Sequence, residues 1–298
     1  MVNQKGGCGK TTTAVNTSAA LAEMGKRVLL IDLDPQAHAT IGLGHDPNFF
    51  PRTVYDVLTN AHTRLSDVAV RTGIGRLDLA PCNVLLAGAE LELASTQGKE
   101  LLLARGLRDV REAYDLCVID CPPALGVLTL NALVSSTDII VPVQVHYYAL
   151  EGLRRLLETV AIIRQRFHPC SMDNIGLLLT FVEERTTFSR QVQQQLREIF
   201  GDLVFDTVIH RNVRLAEAPS AGEPVLTYAS QSKGAADYRA LAAEILQTVP
   251  STTEPAEERI RRGIQKQLSA IFQGVWIPKR QRRQKPVEPI RPQSIEST

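Results

Sequence analysis

The chain has 298 residues, 44% of them hydrophobic and 22% charged, with 33 Lys/Arg against 32 Asp/Glu and a formal net charge of +1. That length buries one substantial core, with or without appendages. A near-neutral total excludes nucleic-acid binding by bulk charge, so any such surface must be a local patch. The charge is uneven. Residues 250–298 hold ten Lys/Arg against five Glu, leaving the first 249 residues at −4. The five cysteines (Cys8, Cys82, Cys117, Cys121, Cys170) are odd in number and lack zinc spacing, and no signal peptide or long apolar run stands out. A reduced, cytoplasmic protein is the expectation.

Apolar runs of strand character alternate with helix-period segments as far as residue 249. In chain order the pattern predicts a helix over Thr12–Met24 and strands over Val28–Ile31 and Leu77–Pro81. Helices over Ala87–Leu93 and Glu100–Glu112 follow, then strands over Leu116–Ile119 and Ile139–Val143. The remainder reads as helix Leu150–Phe167, strand Ile175–Thr180, helix Ser189–Phe200, strand Leu203–Val208 and helix Ala235–Thr248. Continuous Val/Ile/Leu runs suit strands covered on both faces, and the alternation implies right-handed crossovers in a mostly parallel sheet. The expected fold is a doubly wound α/β domain over residues 1–249. Within 250–298, Ser251–Pro255 reads as a linker. Ile260, Ile264, Leu268, Ile271 and Val275 then share one helical face, flanked by Arg259, Arg262 and Lys266. The basic, proline-containing stretch beyond Pro278 cannot build a core and is expected to be disordered.

The run Lys5-Gly6-Gly7-Cys8-Gly9-Lys10-Thr11-Thr12 opens the first helix. Glycines let backbone N–H groups approach phosphate, and a helix N-terminus adds partial positive charge. Lys10 has the reach for the β- and γ-phosphates, and the Thr11 hydroxyl suits Mg²⁺. Lys5 occupies the position of the first glycine in the plain G-x-x-x-x-G-K pattern. The alternative is an ordinary glycine-rich turn before a helix. The loop makes the fold a P-loop NTPase type.

This loop resembles the deviant Walker A motif of the ParA/MinD family, with Cys8 where valine is usual. Val28-Leu-Leu-Ile-Asp-Leu-Asp-Pro-Gln36 resembles the family's second motif, and Tyr114-Asp-Leu-Cys-Val-Ile-Asp120-Cys-Pro-Pro123 its Walker B strand. Arg211–Ser220, Gly222-Glu-Pro224 and Ser232-Lys-Gly-Ala resemble the chromosomal ParA (Soj) branch. The resemblance runs from residue 2 to about residue 248 and implies ATP and Mg²⁺ as cofactors. It implies nucleotide binding by Lys5, Gly6, Gly7, Cys8, Gly9, Lys10, Thr11, Thr12 and Asn212, the last at the adenine. Lys5 is implied to reach across a dimer to the partner's nucleotide, as an arginine finger does in trans. With Lys10 and Asp34 it forms the implied catalytic set, Asp34 positioning the attacking water. Thr11 and Asp120 are implied to hold Mg²⁺, Asp120 through water. Asp32 reads either as support for these carboxylates or as a charge at a strand end. The family usually has proline where this chain has His210, which is read as a surface residue without a catalytic role.

The same resemblance implies an ATP-dependent partitioning switch. The ATP-bound homodimer binds DNA non-specifically, and a ParB-like DNA-binding partner releases it by stimulating hydrolysis. Localisation would be cytoplasmic and nucleoid-associated. Arg185, Arg211, Arg214 and Lys233 are the candidate DNA contacts, each alternatively a solvated surface charge. The competing reading is a MinD-like positioning ATPase that uses the C-terminal amphipathic helix on a membrane. That helix packed on the body is the plainer option. A third class, the iron proteins of nitrogenase type, would need Cys117 and Cys121 at a dimer axis; buried small hydrophobes are the expectation instead. The family also places an apolar strand before the phosphate loop, which is nearly absent from Met1-Val2-Asn3-Gln4. The first central strand is therefore expected to be truncated, with an apolar segment upstream of Met1.

Overall fold

The structure is a computed structural model describing residues 1–145, 149–167 and 174–247. Helix α1 (Lys10–Glu23) leads into strand β1 (Val28–Asp32), then α2 (His38–Gly42), α3 (Val54–Thr59) and α4 (Leu65–Val68). Next come β2 (Val70–Arg71), β3 (Leu77–Ala80), α5 (Leu86–Glu92) and α6 (Leu102–Val110). Strand β4 (Leu116–Asp120), α7 (Val127–Ser135), β5 (Asp138–Gln144) and α8 (Ala149–Arg166) follow. The described chain ends with β6 (Asn174–Val182), α9 (Thr187–Phe200), β7 (Val204–His210), α10 (Val213–Glu217), α11 (Val225–Tyr228) and α12 (Lys233–Gln247).

The strands form two sheets, ordered β2-β3-β1-β4 and β5-β6-β7. Every pairing is parallel except β2 with β3. All five residues of β1 are buried. Leu29 and Ile31 point into one apolar cluster with Ile119, Leu128 and Leu177, while Val28 and Leu30 join a second with Leu77, Ala14 and Leu241. A strand that feeds both clusters is covered on both faces, which is why its sequence shows no alternation. The expected doubly wound α/β fold is observed, its predicted strands within about two residues of the observed ones.

The two sheets meet across Met1–Asn3. The Met1 ammonium donates to the Ile119 carbonyl at 2.6 Å, the Val2 N–H to Ile140 O at 3.1 Å, and Asn3 Nδ2 to Pro142 O at 2.7 Å. These residues touch the last residues of β4 and the middle of β5, leaving β4 as the edge of its sheet along Leu116–Val118. Cys117 is exposed there, which corrects the expectation that it is buried; Cys121 is buried as expected. An apolar sequence neighbourhood does not bury a residue whose strand has a neighbour on one side only.

Helix α7, which the pattern reading omitted, is apolar almost all round and buries Leu128, Ala132, Leu133 and Val134. Its register carries no helical period for that reason. The predicted helix Glu100–Glu112 proves shorter, as α6 after a tight turn at Lys99–Leu101. Thr248, Cys170, and the linker, amphipathic face and basic stretch of residues 250–298 lie outside the described residues.

Candidate nucleotide and metal site

The loop Lys5–Gly9 sits at the N-terminus of α1. Gly7 and Gly9 adopt φ of 71° and 93°, in the left-handed region that residues with a Cβ avoid. A Cβ added at Gly6 or Gly7 would meet nothing within 4 Å, so the outer side of the loop faces open space. No side chain caps the first turn of α1, which leaves its N–H groups directed at that space. The loop is pinned from behind. Thr180 Oγ1 donates to Cys8 O at 2.9 Å, and the buried Cys8 thiol donates to Lys5 O at 3.2 Å.

Two lysines serve this loop differently. Lys10 is 7% exposed, and its Nζ reaches back over the loop to Lys5 O at 3.2 Å. A phosphate in the cradle would replace that carbonyl as its partner. Lys5 is exposed, its N–H held by Asn3 Oδ1 at 3.0 Å and its Nζ donating to Gln144 Oε1 at 2.9 Å.

Three carboxylates stand at the carboxyl ends of β1 and β4. Asp32 and Asp120 are register partners, both wholly buried, and Asp34 is 8% exposed. Asp32 Oδ2 accepts from the Thr40 N–H at 2.8 Å and the Thr40 hydroxyl at 2.7 Å, and Oδ1 from the Asp34 N–H at 3.3 Å. Burial nevertheless pushes its carboxyl up to about 6. Asp32 is thus the support that one reading made it. Neither oxygen of Asp120 accepts a well-formed hydrogen bond, although the Thr11 hydroxyl lies close enough to act on it. Burial raises its carboxyl well above the usual range and the like charge of Asp32 adds to this, while the Thr11 hydroxyl and Met1 ammonium oppose it. An orphaned buried carboxylate is costly unless a cation answers it. With the Thr11 hydroxyl beside it, the oxygen-only donor set fits Mg²⁺.

Asp34 Oδ1 accepts from the Gln36 N–H at 3.0 Å, and its carbonyl accepts from the Cys82 thiol at 3.1 Å. Cys82 N–H in turn donates to Thr40 Oγ1 at 3.2 Å. Thr40 and Cys82 therefore fix the Asp34 loop, and sequence reading missed both. Cys82 lies 42 positions from Thr40 and 48 from Asp34, so no local spacing reveals this chain of contacts. Asn16 was missed likewise: buried within α1, it donates to Thr12 O and accepts from the Val225 N–H, both at 2.7 Å.

Asn212 caps α10, its Oδ1 accepting from the Arg214 N–H at 2.9 Å. The chain beyond it returns to the β1 side: a Cβ on Gly222 would stand 2.7 Å from Gly44 Cα. The four candidate DNA contacts are all exposed, but three are already paired. Arg211 meets Glu183 at 2.7 Å, Arg214 meets Glu217 at 2.7 Å, and Lys233 Nζ lies 3.6 Å from Asp237. Arg185 has no ion-pair partner among the described residues. His210 is not the plain surface residue expected; its side chain is 15% exposed and lies between two carboxylates. Among the described residues no cluster of three or more His/Cys/Asp/Glu side chains could hold a metal ion, and no helix is long and apolar enough to cross a membrane.

Comparison with known proteins agrees with this geometry. A family model described as an AAA domain matches residues 1–172. The sporulation initiation inhibitor protein Soj of Bacillus subtilis is 47% identical over 245 residues, covering 82% of this chain and 96% of that protein. The chromosome partitioning protein ParA of Myxococcus xanthus is 41% identical, covering 82% and 86%. Among solved structures, a Mycobacterium smegmatis protein named cobyrinic acid a,c-diamide synthase, with bound ADP and magnesium, aligns with a TM-score of 0.74 at 39% identity. That alignment covers 85% of this chain and 96% of that one. A phosphate cradle, an orphaned acidic floor and relatives matched over nearly their whole length lead to one assignment: the chain belongs to the Soj/ParA family of chromosome-partitioning ATPases.

Proposed function

We propose that this ATPase is a partitioning switch in which MgATP drives two copies together and hydrolysis separates them. The observation that carries the reading is the division of labour between the two loop lysines: Lys10 is buried over its own cradle, while Lys5 is exposed on the outside of the same loop. A cation on the outer face serves a nucleotide only when a second copy brings one to it. Lys10, the loop N–H groups of Gly6, Gly7, Cys8 and Gly9, and the Thr11 and Thr12 end of the loop bind the triphosphate; Asn212 meets the base. Mg²⁺ held by Thr11 and Asp120 would neutralise phosphate charge. Asp34, restrained through Asp32, Thr40 and Cys82, orients the attacking water. Slow turnover in isolation follows if a ParB-like partner supplies the missing stimulus.

Non-specific DNA binding at the nucleoid belongs to the same proposal, with Arg185, Arg211, Arg214 and Lys233 as the cationic patch. Their pairing with Glu183, Glu217 and Asp237 means that DNA phosphates must displace carboxylates at three of the four. Arg185→Ala is therefore expected to lower the log–log salt slope of DNA binding by about 1. The membrane reading rests on residues 250–298, and liposome sedimentation with and without residues 255–298 separates it. The name of the mycobacterial neighbour suggests a third reading, ATP-driven amidation of a carboxylate. ATP turnover measured in the absence of any carboxylate acceptor or nitrogen donor would count against it.

Lys5→Ala tests the switch. Binding of an ATP analogue should persist while nucleotide-dependent pairing, followed by light scattering, disappears. Normal dimers and normal turnover in that variant would overturn the mechanism.

A further inference from the structure

The exit of β7 carries a group that the catalytic reading does not use. His210, the last residue of β7, lies between α12 and the loop joining β6 to α9. Its backbone N–H donates to Asp237 Oδ2 at 2.9 Å, and its Nδ1 lies 2.9 Å from the same oxygen. On the other side of the ring, Nε2 lies 2.6 Å from Glu184 Oε1. Asp237 is nearly buried and Glu184 is exposed. A carboxylate only accepts, and a neutral imidazole has one N–H to give. Two carboxylates at hydrogen-bond distance from the two ring nitrogens are both satisfied only when both nitrogens carry a proton.

The neighbouring charges do not change that count. Lys233 on α12 stands 3.6 Å from the other oxygen of Asp237, and Glu183 on the loop is taken by Arg211 at 2.7 Å. The ring's bond, for its part, holds the Glu184 carboxyl below its ordinary value. Two residues further on, Asn212 begins α10. Arg211 between them is tied to β6 by its N–H on Val182 O at 3.0 Å. His210 and Arg211 are thus both held where the chain leaves β7 toward Asn212.

We propose that His210 is a positioning residue for the nucleotide base, which in its doubly protonated form clamps the exit of β7 between Asp237 and Glu184 and so presets Asn212. The proposal rests on reading Asn212 as the base contact. The clamp keeps both of its ring bonds while the imidazole carries two protons and loses one of them when a proton leaves. Binding of ADP should weaken when that bond is lost.

The test uses the full chain, a fluorescent ADP derivative with magnesium, and nitrogen NMR of the imidazoles, with the His210 signal assigned by its loss in His210→Gln. Glu184→Gln is the comparison, because an amide can donate to a bare Nε2 or accept from a protonated one. That variant should therefore complete the clamp at either protonation state, and ionisation of the nucleotide phosphates is common to both proteins. As pH rises, the parent should lose about three- to tenfold more affinity than Glu184→Gln across whatever interval the His210 nitrogens take to pass from both protonated to one. A His210 ring that carries a single proton at every pH at which the chain stays folded overturns the proposal. So do parallel affinity profiles for parent and variant. Asn212→Ala, measured alongside, separates the two levels: if it weakens ADP binding while the profiles stay parallel, the base contact stands and the His210 clamp falls.

Discussion

The four-stranded sheet carries acidic residues at both ends, and the two ends treat them oppositely. At the amino end, Asp115 accepts from the Arg27 guanidinium at 2.7 Å and from the Arg27 N–H at 2.8 Å, while Asp78 accepts from the Tyr114 hydroxyl at 2.8 Å. These groups are exposed or half-buried, and each is answered by a neighbour. At the carboxyl end, Asp32, Asp34 and Asp120 are buried together, and Asp120 accepts no well-formed hydrogen bond. One end is finished as folded. The other is complete only with a cation and an anion that the fold does not contain, and the stability lost there is what makes a ligand welcome.

The largest expected effect breaks that contrast at its centre. Asp120→Asn keeps the shape and removes the unanswered charge. On the proposed metal role of Asp120, turnover should fall at least about a hundredfold. The ligand-free protein should become more stable by about 1–2 kcal/mol, because a buried uncompensated charge is gone. A variant that loses both activity and ligand-free stability, measured by ATP turnover and denaturant melting, contradicts the comparison. Next in size is Thr40→Val, which deletes a donor to Asp32 and an acceptor for Cys82 N–H without changing volume much. The rate constant for turnover should drop about tenfold with KM for ATP little altered, and Thr40→Ser should recover most of it. Equal loss in the serine variant would mean that the methyl packing of Thr40 matters rather than its hydroxyl.

How much of this was legible beforehand follows from the range of the interactions. The run Lys5–Thr12 and the Val28–Asp32 and Leu116–Asp120 strands announce themselves because their chemistry depends on residues a few positions apart. The parallel sheet followed from unbroken Val/Ile/Leu runs for the same reason. Thr40, Cys82 and Asn16 stayed hidden because each acts on a residue brought close only by folding, as Asn16 does on Val225, 209 positions away. Helix α7 escaped since a segment buried on nearly every side has no polar face to give it a period. Cys117 was misread because burial depends on whether its strand is flanked, which no window of sequence contains. His210 looked like surface because both of its partners come from other elements.

The amino end supplies the smaller tests. Tyr114→Phe removes one hydrogen bond to Asp78 at a half-buried position, and the cost should be no more than about 1 kcal/mol, with turnover unchanged. Asp115→Asn should do less still at neutral pH, since Arg27 and Asp115 are solvent-exposed and screened. Its signature lies in acid. The Arg27 guanidinium and N–H draw the Asp115 carboxyl down to about 2, below the unfolded value near about 4. A depressed carboxyl contributes stability above the unfolded value and loses it as pH falls toward 2, because the unfolded chain takes up the proton first. Melting curves between pH 5 and pH 2 should therefore fall less steeply for Asp115→Asn than for the parent. Identical acid limbs would mean that the ion pair at the amino end is as idle as most surface pairs, and that only the buried end of the sheet couples charge to folding.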